Sequence, residues 1–158
     1  ATKEYGYRQS RYASLRRAST VYTPAFMVNG ESWRRGIFSS SVPEEEVSAG
    51  NLIVAVDGKN VTARYQSGNK KRLKLNVAVL GMGLTSHIER GENEGRTAKH
   101  EFVVVGLNST VSENLKWDVR LPKLHYSKAK EYALAVWVSD TDDPTPLQVT
   151  GGELPDYK

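Results

Sequence analysis

The sequence predicts an α+β chain that is mainly β. A small helix–strand–strand–helix unit is expected over residues 1–50, then an antiparallel β-sandwich over residues 51–158. Three observations carry this reading. A helical period stands out at the front of the chain, where Tyr5, Tyr12 and Leu15 recur on one face. Beyond residue 50, apolar and polar residues alternate in successive runs, the period of strands with one wet face. The pairs Asn29-Gly30 and Asp57-Gly58 are strong hairpin signals, because tight hairpin turns need residues that accept positive φ.

The elements follow in order. Residues 3–17 are read as a helix that Thr2 can cap. Arg11, Arg16 and Arg17 fall largely off the aromatic face, and cations in a last turn suit the helix dipole. Val21 to Pro24 is a bend, Ala25 to Val28 a short buried strand, and Glu31 to Arg35 its return with Trp33 inward. Ser41 and Glu44 form a capping box for a short second helix that Gly50 ends. Asn51–Val56 and Val61–Tyr65 form the next hairpin. Leu73, Leu75, Val77 and Val79 alternate with Arg72, Lys74 and Asn76, as in a half-buried strand. His100, Phe102 and Val104 share one face of a later strand. Leu115, Trp117, Val119 and Leu121 repeat the pattern, as do Tyr132, Leu134, Val136 and Val138. Leu147–Val149 would supply a final edge strand. About six to eight strands without a long helix fit a sandwich.

Composition narrows the function classes. The 158 residues include enough apolar side chains for a core, and no stretch approaches the ~20 apolar residues of a membrane span. Cysteine is absent, which excludes disulfides, thiolate metal sites and cysteine nucleophiles within this chain. Of the net charge of +4, residues 1–36 hold seven Lys/Arg against two Glu, and the remainder is close to neutral. That basic front is read as a solvated helix face rather than a nucleic-acid surface, since no aromatic stacking platform accompanies it. The chain opens without Met or a signal peptide and is expected to be trimmed or fragmentary.

Thr23-Pro24, the strand Ala25–Val28, Asn29-Gly30, a second strand and a closing helix are similar to the C-terminal half of the thioredoxin fold. "RQSRYA", "VYTPAFMVNG" and "IERGENEGRTAKHEFVV" together resemble a bacterial family of secreted, thioredoxin-like proteins of unknown function. The resemblance implies a partial thioredoxin-like α/β domain over 1–50 and a β-rich domain after it. It also implies export to the periplasm or beyond, and a Cys-bearing segment that is missing here, so that this segment or a second chain completes the first domain. It further implies a cis proline, with Tyr22, Thr23 and Pro24 lining a substrate cleft. The residues alone leave open a trans proline starting an edge strand.

The run Glu89 to Thr97 joins two strands as a charged loop, with Arg90, Glu92, Asn93, Arg96 and Thr97 as its candidate ligand or partner contacts. Arg90 and Arg96 can pair with Glu92 and Glu94 or clasp a carboxylate, as arginine forks do. It is neither a phosphate-binding loop nor an EF-hand. His87, Glu89 and His100 match no zinc signature, and Asp140, Asp142 and Asp143 before Pro144 are read as a turn. No catalytic residue, metal or cofactor is assigned. Trp33, Trp117 and Trp137 are expected in the core. Two functions stay open: an envelope protein associated with thiol–disulfide exchange through a Cys motif outside the chain, or a non-catalytic module that binds a protein or peptide partner.

Overall fold

The structure, a computed structural model, describes residues 3–15, 26–28, 31–33, 51–66, 72–125 and 128–155. The helix α1 (Lys3–Ser14) opens the chain, and the hairpin β1 (Phe26–Val28) and β2 (Glu31–Trp33) follows. Among the described residues nine further strands come after: β3 (Asn51–Asp57), β4 (Asn60–Gln66), β5 (Leu73–Met82), β6 (Leu84–His87), β7 (Thr97–His100), β8 (Val103–Ser112), β9 (Lys116–Arg120), β10 (Glu131–Ser139) and β11 (Pro146–Glu153). Two main antiparallel sheets form, one ordered β11-β10-β5-β8 and the other β3-β4-β9, while β6 and β7 make a separate hairpin.

The two sheets share one apolar core. Leu73, Leu75, Val77 and Val79 from β5 meet Leu134, Val136 and Val138 from β10, and opposite them lie Leu52, Val61, Ala63 and Trp117. Alternation along each strand produces this layer, since every second side chain points to the same face. Burying a valine or leucine fully in this way contributes about 1.5–3 kcal/mol per side chain.

Register bears out both hairpin signals. Val28 faces Glu31 across the positions of Asn29-Gly30, which themselves lie outside the described residues. Asp57 faces Asn60 around Gly58-Lys59, and Gly58 takes a φ of 56°, the left-handed value a glycine adopts without a Cβ penalty. The predicted helix holds over Lys3–Ser14; its last two residues, the capping box and the second short helix lie outside the described residues.

Four expectations are corrected. β5 is not half wet: Asn76 and Ala78 on its outer face are each only 2% exposed. The reason is that β5 pairs on both sides, and α1 with the 140–145 turn stands over that face. Tyr12 is buried there, its hydroxyl donating to the Pro144 carbonyl (3.0 Å). His100, Phe102 and Val104 do not share a strand, because Phe102 breaks the chain between β7 and β8 at φ 53° and stands 65% exposed. Leu115, at φ 58°, belongs to the turn before β9. Trp117 is in the core as expected, but Trp137 lies half-buried on the outer face, under the guanidinium of Arg8 at 5.1 Å. The side chain of Trp33 lies outside what the structure describes.

Candidate functional site

β3 and β11 are margins of their respective sheets and lie against each other, with the Leu52 amide donating to Gln148 Oε1 at 2.9 Å. From that contact the sheets separate. The inward side chains of β3 record it: Leu52 is 6% exposed, Val54 is half-buried and Val56 is 40% exposed. The space that opens is a cleft of about 550 Å³, within the range of ligand sites, lined by Val54, Val56, Leu134, Val136 and Leu154 among others. Lys59 and Glu153, both exposed, also line it.

The hydrogen-bond phase of β3 gives this cleft a polar wall. In an antiparallel pair, residues alternate between those bonded to the partner strand and those whose N–H and C=O point away. Leu52 faces Tyr65 in register, yet the Leu52 amide goes to Gln148 and the Tyr65 amide to the Leu115 carbonyl. That pair therefore belongs to the second class. With no register shift along β3–β4, so do Val54↔Ala63 and Val56↔Val61. Val54 and Val56 thus turn their main-chain donors and acceptors to the free margin of the sheet, while their side chains line the cleft.

The opposite wall carries Gly151 and Gly152. A Cβ at Gly151 would collide with the Leu134 carbonyl oxygen, so that position admits only glycine without a backbone shift. A Cβ at Gly152 would meet nothing within 4 Å. Ile53 and Val149, 39% and 57% exposed, extend the apolar margin on the outer side.

The candidate residues of the sequence reading fall elsewhere. Tyr22, Thr23 and Pro24 lie outside the described residues. The 89–97 run forms the tip of the β6–β7 hairpin, closed by Ile88 N–H to the Arg96 carbonyl and Gly95 N–H to the Ile88 carbonyl, both 2.9 Å. Gly91 and Gly95 turn it with φ of 92° and 81°. Arg96 Nη1 donates to Asn93 Oδ1 at 3.3 Å, a bracing different from the Arg–Glu pairs anticipated. Arg90, Glu92, Asn93, Arg96 and Thr97 are all exposed, and none lines the cleft. Across the hairpin, Ser86 Oγ and His100 Nε2 are 2.7 Å apart and exposed to solvent. Among the described residues no group of three His, Asp or Glu side chains converges as metal ligands. The Asp140–Asp143 segment is a turn as read, with Asp143 Oδ1 accepting the Thr145 amide at 2.9 Å.

Sequence reasoning missed the cleft. Its one legible signal was Gly151-Gly152 following the alternating Leu147–Thr150 stretch, where glycines in a strand mark a close approach of another backbone or a ligand. The opening itself depends on how far two sheets diverge, which no local pattern encodes.

Neither the curated proteins nor the solved structures compared with the chain include a match. A family model described as a protein of unknown function (DUF1223) matches residues 1–139, and the chain belongs to that family.

Proposed function

We propose that this member of the family is a non-catalytic interaction module that captures an extended apolar segment of a partner protein. The segment adds to β3 as a further strand, and its inward side chains fill the cleft between β3 and β11. One observation carries the reading: Val54 and Val56 hold their main-chain groups outward beside an apolar cavity. An extended peptide supplies a matching row of N–H and C=O groups together with side chains at every second position. Under the same reading the exposed 89–97 loop and Tyr22-Thr23-Pro24 are further contact surfaces. If Arg90→Ala and Arg96→Ala leave partner capture unchanged, the loop is removed from the interface.

Two short peptides of alternating valine and threonine between lysine ends test the strand. One is unmodified, and the other is methylated on the amide nitrogens that would face β3. Calorimetric titration is expected to show binding of the first and at least a tenfold weaker affinity of the second. Equal affinity, or no binding of either, rejects the proposal.

A second reading is a thiol–disulfide-associated protein of the cell envelope, built on a thioredoxin-like scaffold and exported. The β1–β2 hairpin favours it, because a strand, Asn-Gly and a returning strand follow Thr23-Pro24 in the thioredoxin-like order. The thiolate would come from outside these residues, which contain no cysteine. Reading the gene upstream of Ala1 decides it, since the absence of a cysteine motif there ends the redox reading and the absence of an export signal ends the envelope one.

A further inference from the structure

We infer that a second site, independent of the cleft, binds a small oxyanion beneath α1. A cavity of about 340 Å³ lies between α1 and the outer face of the four-stranded sheet, with Arg8, Arg11 and Lys74 among its walls and Asn76, Ser109 and Ser139 on the sheet side. The sheet side is built rather than incidental. Asn76 is 2% exposed and Ser139 1%. Asn76 Nδ2 donates to Ser139 Oγ at 3.2 Å, and Asn76 Oδ1 accepts from Ser109 Oγ at 2.8 Å. The hydroxyl of Ser139 thus accepts from Asn76 and keeps its own proton to give.

The cations are held in place by neutral groups. Lys74 Nζ donates to the Thr141 carbonyl at 3.0 Å and Arg11 Nη2 to the Asp142 carbonyl at 2.6 Å. Arg8 Nη2 donates to Tyr12 Oη at 3.3 Å, with the guanidinium also over the Trp137 ring. Carbonyls and rings orient these charges without neutralising them, and among the described residues none of the three has an ion-pair partner. An ammonium has three donors and a guanidinium five, so most of the hydrogen-bonding capacity is unspent. Against it stands the charge of Asp142, an exposed residue that also lines the cavity. A pocket of positive donors with its amide oxygen already accepting a bond selects a ligand that only accepts. That chemistry is a carboxylate or a phosphate, recognised by charge-assisted bonds.

The experiment titrates the whole chain at constant ionic strength with inorganic phosphate, with benzoate and with the neutral benzamide, by calorimetry and by the side-chain amide resonance of Asn76. Binding of phosphate alone assigns a phosphoryl source, binding of benzoate alone a carboxylate source, and binding of both the shared chemistry. Each outcome supports the site when Lys74→Met and Arg11→Gln each weaken the affinity at least tenfold while Lys128→Gln leaves it unchanged. Arg11 is on a partly exposed helix face, so that variant keeps the test valid if Lys74→Met fails to fold. The inference is overturned if neither anion shifts the Asn76 resonance, if benzamide binds as well as benzoate, or if Lys128→Gln weakens binding as much as Arg11→Gln.

Discussion

β5 and β3 are both antiparallel strands of apolar-rich sequence, and the fold treats them oppositely. β5 is paired along both sides and covered on both faces, so that Leu73, Leu75, Val77 and Val79 are at most 1% exposed. β3 is paired along one side, and its inward face emerges into solvent from Leu52 to Val56. The inward face of the first strand can only stabilise. The second holds unspent main-chain hydrogen bonds and uncovered apolar area, the two things a binding strand needs. Core stability and capture of an extended segment are thus assigned to different strands of one architecture, and substitutions should separate them.

The largest effect is expected at β5. Leu75→Ala removes a fully buried side chain and should cost about 2–5 kcal/mol in denaturant unfolding, leaving peptide affinity intact in the folded fraction. A loss below about 1 kcal/mol would mean that the core closes over the gap and that β5 is not its rigid centre. Next comes Asn76→Ala. It strips a partner from Ser109, which is exposed, and from Ser139, which is buried, and should cost about 1–3 kcal/mol, because a buried hydroxyl left unsatisfied is expensive.

At the cleft the ranking inverts. Gly152→Phe projects a ring where a Cβ meets nothing within 4 Å, so unfolding should change by less than about 0.5 kcal/mol. Peptide binding, by contrast, should fall at least tenfold. If the variant binds normally, the cleft is not where the side chains go. The smallest effect is expected for Arg72→Ala. Its ion pair with Glu113 is short (2.8 Å), but the two side chains are 60% and 74% exposed. Such pairs contribute about 0.2–1 kcal/mol and less in salt, so a larger loss would reveal packing by the Arg72 stem.

The sequence made the strands legible because alternation and Asx-Gly turns are local. The Asp57-Gly58 hairpin and the inward set of β10 follow from residues a few positions apart. What failed was tertiary. Asn76 reads as a wet-face residue, since polar residues in alternating strands usually are. It is buried because a helix some sixty positions earlier in the chain lies over it. Phe102 continues the apolar period on paper, and only the chain's passage from the β6–β7 hairpin to the main sheet explains its left-handed, exposed state. The candidate site suffered in the same way. The charged 89–97 loop was conspicuous in sequence, whereas the cleft is made of ordinary valines and leucines whose role comes from the divergence of two sheets.

The contrast between the two strands can be measured directly by native-state amide hydrogen exchange on the monomeric protein. The amides of Val54 and Val56 should exchange at rates close to those of unprotected main chain, while that of Val77 persists to the limit set by global unfolding. Saturation with the unmodified valine–threonine peptide should slow Val54 and Val56 and leave Val77 unchanged. Protection of Val54 and Val56 equal to that of Val77 in the free monomer would contradict the account, because their main-chain groups would then already be spent within the fold.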